Sequence, residues 1–307
     1  MPSYHWWTPE NAAIIVPYPI DRESARKDGV DAAGLEQVIE RNVSAALEED
    51  IGSGDLTALL VPADETAHAA VISREPAVLA GAPWFDTVFR RIDSRVLVTW
   101  RHRDGDALHA SETVCALDGP ARALLTGERT ALNFLQTLSA VATRTRQYAD
   151  AVSGTRAVVV DTRKTLPGLR LAEKYAVRAG GGRNHRLGLY DGILIKENHI
   201  AAAGGIRPAL EASARLNAGV PVQIEVESLE QLEEALEAGA KLILLDNFSL
   251  DRLREAVRIN AGRAELEASG GISLDGLRAV AETGVDRISV GALTKDVKAV
   301  DLSMRFA

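Results

Sequence analysis

The chain has 307 residues, 46% apolar and 25% charged, the make-up of an ordinary globular protein with room for two domains. Its formal net charge of −8 argues against nucleic acid or an anionic membrane as the main partner. No apolar run approaches the roughly 20 residues that cross a bilayer. The single cysteine, Cys115, excludes an intramolecular disulfide and a metal–cysteine cluster, and within TVCAL it reads as a small core residue.

The start, MPSYHWWTPENAA, lacks the basic residues and apolar stretch of a secretory leader, so a cytoplasmic location is expected. Residues 1–34 read as an extension, set apart by Pro17, Pro19 and the charged DRESARKDG stretch. Trp6 and Trp7 could pack there on the body or on another subunit. Leu35, Val38, Ile39 and Ala46 recur at helical spacing and predict a helix over 35–47, which stops at DIGSGDLT. The segments AHAAVISR, AVLAG, RVLVTWRHR and ETVCAL predict a small antiparallel sheet, with PWFDTVFRRI as a helix beside it. A long helix follows over 124–152. Residues 35–143 thus form an N-terminal α+β domain and 144–307 a second domain, whose C-terminal tail can pack back on the first.

After Gly154 the pattern changes. The short apolar runs RAVVVDTRK, GILIKEN, VQIEVES, KLILLDN, ELEASGG and RISVGALT alternate with helical segments. Ser228 with Gln231 fits a capping box, and Gly239 sits where a left-handed C-terminal cap is needed. Ser273 and Gly284 bracket the later helix in the same way. Glu225, Asp246, Ser269 and Gly291 fall at intervals of 21, 23 and 22 residues, a repeating βα unit that implies parallel strands. Every run ends in polar, functional-looking residues. That favours an incomplete parallel β/α barrel of six to seven strands, which gathers groups from many strand ends at one face, over an open sheet with a single switch point.

Residues 161–197 carry eight Lys or Arg and four Asp or Glu, a local charge of +4 in an acidic chain. Such a reversal marks an anion site. Arg170, Lys174 and Arg178 read as the solvated face of the helix PGLRLAEKYAVRAG. Arg163, Lys164 and Lys196 sit at strand ends, where an unpaired buried charge costs roughly 3–5 kcal/mol, so either acids or a ligand must pair with them. The glycines of GGGRNH let the loop bring His185 and Arg186 to the same mouth. Guanidinium groups with a lysine suit a ligand bearing more than one carboxylate. Glu225 and Asp246, on neighbouring strand ends, can hold Mg²⁺ or offset positive charge developing on a sugar. The turns at Ser269, Gly270 and Gly271 and at Gly291 and Ala292 can cradle a phosphate with backbone N–H groups. No protein nucleophile is evident, which fits transfer of a ribose phosphate to an acceptor that itself attacks the sugar carbon.

The blocks DTRKTLPGLRLAEKYAVRAGGGRNHRLGLYDGILIKENHI, IEVESLEQLEEALEAGA, LLDNFS, LEASGGIS and GVDRISVGALT, with EEDIGSGDLT and GERTALNFLQTLSAVAT, resemble the quinolinate phosphoribosyltransferase family from about residue 35 to the end. The resemblance implies conversion of quinolinate and phosphoribosyl pyrophosphate to nicotinate mononucleotide, CO₂ and pyrophosphate, a step of NAD synthesis. It also implies Mg²⁺ and a homodimer or hexamer in which Arg129 reaches the neighbouring subunit's site. Thr162, Arg163, His185, Arg186 and Lys196 match the quinolinate-binding set, and Lys164 a lysine near the reacting centre. Glu225 and Asp246 match acids near ribose and metal. Ser269, Gly270, Gly271, Gly291 and Ala292 match the phosphate turns. The chain departs from the expected pattern at Ala140, in place of glycine, and at Lys295, in place of histidine. Rival readings are a related phosphoribosyltransferase-like protein of the molybdenum-transport type, a Schiff-base lyase using Lys164 or Lys196, and a non-catalytic binding protein.

Overall fold

The computed structural model describes residues 32–306, so Trp6, Trp7 and nearly all of the 1–34 extension lie outside the described residues. The chain divides into two compact units. The first takes the chain up to Thr143, Pro167–Gly180 and the segment from Val297 on; the second takes Arg144–Leu166 and Gly181–Asp296.

Helix α1 (Ala32–Ile51) is longer at both ends than the 35–47 helix read from spacing. Leu35, Val38, Ile39 and Val43 give it its buried face. It is followed by β1 (Thr66–Ser73), β2 (Ala77–Val78), α2 (Ala82–Ile92), β3 (Leu97–Trp100), β4 (Ala107–Leu108), β5 (Thr113–Pro120) and the long α3 (Ala121–Ala151). Next come β6 (Val158–Val160), which belongs to the second unit, and α4 (Arg170–Ala179), which belongs to the first. The second unit continues with β7 (Ile193–Ile195), α5 (Glu197–Ala203), α6 (Ile206–Leu216), β8 (Val222–Val226), α7 (Leu229–Glu237), β9 (Leu242–Asp246), α8 (Leu250–Asn260), β10 (Glu265–Ser269), α9 (Leu274–Ala281), β11 (Arg287–Ser289) and the short α10 (Ala292–Lys295). The final strand β12 (Leu302–Phe306) belongs to the first unit.

In the first unit the antiparallel sheet runs β12-β1-β5-β3, and β2 pairs separately with β4. Trp84, Phe85 and Phe89 of α2 are fully buried, and Phe85 meets Trp100 edge-on at 5.3 Å. The start of α2 is fixed by Asp104, whose carboxylate accepts from Gly81 N at 2.9 Å and Ala82 N at 3.3 Å. Tyr175 of α4 donates its hydroxyl to the same carboxylate at 2.6 Å. The reading of Lys174 as part of a solvated face is corrected here. Lys174 is 1% exposed and sits beside the fully buried Glu173, while Ala172, Ala176 and Val177 are buried too. Five of the ten residues of α4 are thus covered, so the helix has little wet face; spacing alone assumes one apolar stripe.

The second unit is a six-stranded parallel sheet in the order β6-β11-β10-β9-β8-β7, with helices between the strands. Arg183 adds a parallel bridge to Val160 beyond β6. This is the incomplete β/α barrel expected from the repeating unit. Ser228 caps α7 by accepting from Gln231 N at 3.2 Å, and Gly239 follows in a left-handed conformation with φ 87°. The turn between β8 and α7 is thereby fixed, and with it the end of β8.

One buried acid couples the first unit's packing to pH. Burial pushes the carboxyl of Asp86 up to about 7, against the hydrogen bond it accepts from Trp100 Nε1 at 2.9 Å and with added repulsion from Asp104. Between the ordinary value of 3.8 and about 7 the folded protein therefore holds a proton that the unfolded chain has lost, and stability falls as pH rises through that window. Asp86→Asn keeps an acceptor for Trp100 but carries no charge. It is expected to stabilise the protein by about 1–3 kcal/mol at pH 8 and by little near pH 4. Urea unfolding at both pH values checks this; an equal change at both would exclude ionisation of Asp86 as the cause.

Candidate functional site

The carboxyl ends of the strands in the second unit open into a cavity of about 760 Å³, within the roughly 300–1,000 Å³ typical of small-molecule sites. Thr162, Arg163 and Lys164 follow β6, Lys196 follows β7, Glu225 lies in β8, and Asp246 and Ser269 end β9 and β10. All of these line the cavity, as do His185, Arg186, Gly270, Gly271, Gly291 and Ala292. Of the residues singled out from sequence, Arg129 alone does not line it; it is exposed on α3, in the first unit.

The cationic side of the cavity is built from two segments. Asp161, just after β6, is fully buried and accepts from His185 N at 2.8 Å, which ties the glycine-rich loop to the strand end. Arg186 follows, and its Nη1 donates to Gly192 O at 3.1 Å. Partial burial holds the Arg186 pKa below its ordinary value, and repulsion from Arg163 adds to this; Asp191 opposes both. Asp191 is itself engaged, accepting from Leu187 N at 2.7 Å and Gly188 N at 2.8 Å. Arg163 Nε is buried with no hydrogen-bond partner among the described residues. Among the described residues neither guanidinium, nor the Lys164 ammonium, has an ion-pair partner. Like charges in a part-desolvated cleft with a donor left over define a place for an anion. Lys196 differs: its Nζ donates to both oxygens of Glu225, at 2.8 and 3.2 Å.

The opposite side is anionic and glycine-lined. Asp246 Oδ2 accepts from Asn247 Nδ2 at 2.7 Å, and its Oδ1 has no protein partner among the described residues. Asn247 adopts a left-handed backbone with φ 57° and bonds through its N–H to Ser269 O at 2.9 Å. Gly270 packs directly on it, and a Cβ there would lie 2.2 Å from Asn247 Oδ1. At Gly291 a Cβ would lie 3.1 Å from the Lys164 side chain. The turn after β11 is held from below by Arg144 Nη1, which donates to Ala292 O at 2.9 Å and Asp296 O at 2.7 Å, and by Thr294 Oγ1, which donates to Lys164 O at 2.8 Å. Small residues are thus fixed in the turns after β10 and β11, where backbone N–H groups can admit a phosphate.

A divalent cation fits this donor set in one way only. The described residues contain no group of three or more His, Cys, Asp or Glu suited to a metal. Asp246, with Glu225 on the adjacent strand, offers the one or two carboxylates that Mg²⁺ takes when substrate phosphates and water supply the rest of its shell.

Sequence reading did not single out Asn247, Arg144, Gln223 or Glu267 for the site. Asn247 stood in the quoted LLDNFS block, and a non-glycine residue able to adopt positive φ just after a strand-end acid was the available signal. Gln223 and Glu267 are 6% and 1% exposed inside the strands and gave no such signal.

Comparison with known proteins bears on this geometry. The family model described as "Quinolinate phosphoribosyl transferase, C-terminal domain" matches residues 141–305, and the corresponding N-terminal domain model matches 55–139. A probable nicotinate-nucleotide pyrophosphorylase [carboxylating] of Bacillus subtilis is 46% identical over 258 residues, covering 83% of this chain and 89% of the relative. A nicotinate-nucleotide pyrophosphorylase [carboxylating] of Mycobacterium leprae is 45% identical, covering 85% of this chain and 95% of the relative. The solved structure of the nicotinate-nucleotide pyrophosphorylase from Francisella tularensis superposes with a TM-score of 0.87 at 44% identity, over 89% of this chain and 97% of that one.

The close approach of Gly270 to Asn247 makes a specific expectation. Gly270→Ala meets both the 2.2 Å contact and a φ of 109°, and should destabilise the protein by about 2–4 kcal/mol in chemical unfolding. Adding Asn247→Ala should restore only part of this, because the Asn247 backbone N at 2.9 Å and the strained φ remain. Full recovery in the double variant would show that the side-chain contact alone matters.

Proposed function

The chain belongs to the quinolinate phosphoribosyltransferase family, and from that premise we propose how its own residues carry the reaction. The enzyme transfers the phosphoribosyl group of phosphoribosyl pyrophosphate to quinolinate with decarboxylation, giving nicotinate mononucleotide, CO₂ and pyrophosphate, in NAD biosynthesis. The observation that carries the reading at this site is the pair Arg163 and Arg186, gathered in one cavity with the glycine turns and with no ion pair to an acid among the described residues. A ring with two carboxylates meets the first, a ribose phosphate the second.

Arg163 and Arg186 hold the quinolinate carboxylates, with Thr162 and His185 beside them, and set the ring plane. The pyridine nitrogen then attacks the anomeric carbon, and the bond to pyrophosphate breaks with its electron pair leaving on oxygen. Asp246 and Glu225 offset the positive charge that builds on the ribose. Glu225 is already half-neutralised by Lys196, so the ribose does not face two bare carboxylates. Once the ring nitrogen is cationic, the bond to the adjacent carboxylate breaks as CO₂ departs, and the electron pair left on carbon is stabilised by that charge. A proton then reaches this carbon, and Lys164, the one lysine of the cavity wall with neither ion pair nor side-chain hydrogen bond among the described residues, is placed to relay it. The turns at 269–271 and 291–292 bind the ribose phosphate. Mg²⁺ would be held by Asp246 and Glu225 together with the substrate, and supplies charge neutralisation for the pyrophosphate leaving group.

The Schiff-base alternative needs a neutral amine, and the Lys196 ammonium is committed to Glu225 at 2.8 Å. Arg129, exposed on α3, is assigned to the active site of a second copy of the chain in a homodimer or larger assembly. No helix among the described residues is long and apolar enough to cross a membrane. A cytoplasmic location is part of this reading, supported by a single buried, unpaired cysteine in place of a disulfide framework.

Purified protein with quinolinate, phosphoribosyl pyrophosphate and Mg²⁺ should form nicotinate mononucleotide; ligand binding without pyrophosphate release would overturn the catalytic reading. Arg186→Ala should weaken quinolinate binding by roughly 1.5–3 kcal/mol, the range for a charged hydrogen bond, and an unchanged affinity would remove Arg186 from the site. Arg129→Ala and Lys164→Ala should each lose activity alone. Mixed dimers of the two should recover part of it, since one site in the pair is then intact; absence of recovery in verified mixed dimers would contradict a shared site.

A further inference from the structure

At the cavity wall a polar column runs from His185 to Glu267, and two of its members, Gln223 and Glu267, are used by none of these roles. Glu267 and Gln223 are buried within β10 and β8, away from the strand ends. Gln223 Nε2 donates to Glu267 Oε2 at 3.0 Å, and His185 Nε2 lies 2.7 Å from Gln223 Oε1. Glu267 Oε1 has no hydrogen-bond partner among the described residues and lies 3.8 Å from His185 Nε2. On the far side of the imidazole, Nδ1 is 2.8 Å from the backbone N–H of Arg186.

These contacts favour one arrangement of donors and acceptors along the column. A backbone N–H only donates, so Nδ1 is the bare nitrogen of His185. Nε2 then carries the hydrogen and donates to Gln223 Oε1. A carboxylate only accepts, so the amide must turn its nitrogen to Glu267. Reversing the amide would set an NH₂ against the imidazole N–H and an oxygen against the carboxylate, two repulsive contacts in a buried site. Neither end of the column can be turned round, since the Glu267 carboxylate only accepts and the Arg186 N–H only donates, and the amide and imidazole between them are held to one orientation.

We infer that Glu267 is a positioning residue: acting through Gln223, it holds His185 in the Nε2–H tautomer and so fixes Arg186 beside Arg163. The inference rests on the reading of this cavity as the quinolinate site. His185 then serves as an acceptor strut for the Arg186 backbone, and the positive charge that receives the dicarboxylate comes from the guanidinium groups. Because the column ends at Arg186, its loss should disturb quinolinate and spare the ribose phosphate turns.

Four full-length variants test this. Long-range nitrogen–proton spectra of the His185 ring, assigned with His185→Gln, report the tautomer directly; steady-state kinetics report each substrate separately. The native enzyme should show His185 as the Nε2–H form alone. Glu267→Leu should give a mixture of tautomers and raise the quinolinate KM at least tenfold, with the phosphoribosyl pyrophosphate KM within twofold. Glu267→Gln, which still offers an oxygen to Gln223, should restore both the single tautomer and most of the quinolinate KM. If Glu267→Leu does not fold, Gln223→Leu breaks the column at its middle and should shift tautomer and quinolinate KM in the same way. An Nδ1–H or doubly protonated ring in the native enzyme, an unchanged tautomer in the leucine variants, or equal rises in both KM values would overturn the inference. Failure of the native enzyme to turn over quinolinate would instead overturn the functional reading, while the spectra would still decide the role of Glu267.

Discussion

Arg163 and Arg186 repel each other across a partly buried cavity, and the rest of the second unit is arranged to keep them there. Loss of solvent and repulsion from Arg163 both disfavour the charged form of Arg186, and Arg163 Nε has no hydrogen-bond partner among the described residues. An isolated chain would relieve this by rotating the side chains into water. The scaffold opposes that escape through the Asp161 carboxylate, the Arg186 amide on His185 and the Gly192 carbonyl. On the proposed reading, a ligand that brings two negative charges would discharge the strain. Charge held in place before the substrate arrives is also what a reaction without a protein nucleophile requires, because positioning and electrostatics are all that the protein contributes.

The two faces of the cavity divide the work. Cations follow β6 and β7, while carboxylates and glycine turns lie on β8 to β11. The Lys196–Glu225 pair stands where the faces meet and keeps the acid side from being a run of unscreened negative charge next to a diphosphate. Asn247 joins the acid and phosphate roles, since it bonds the Asp246 carboxylate with its side chain, bonds Ser269 with its backbone and receives Gly270 against its amide.

Much of this was legible in the sequence because strand-end residues break an apolar run where it meets the cavity. The repeat of βα units, the Ser228 cap and the clustered cations of 161–197 all belong to that grammar. What stayed hidden follows a different rule. In β10 the inward residues Glu265, Glu267 and Ser269 alternate with the buried Leu266 and Ala268. Alternation of this kind ordinarily marks polar residues as the wet face, and a barrel with a polar interior inverts the sign without changing the pattern. Gln223 was concealed for the same reason. Lys174 shows the converse: a helical cation read as solvated lies buried, because α4 packs within the first unit although its sequence falls between two strands of the second. Local spacing carries no information about which unit will cover a helix.

The most direct measurement is a crystal structure of the enzyme with quinolinate bound. The two carboxylates should lie within hydrogen-bonding distance of Arg163 and Arg186, with the pyridine nitrogen turned toward Asp246 and the glycine turns. Quinolinate seated on the 269–271 and 291–292 turns, with both guanidinium groups left empty, would contradict the central claim.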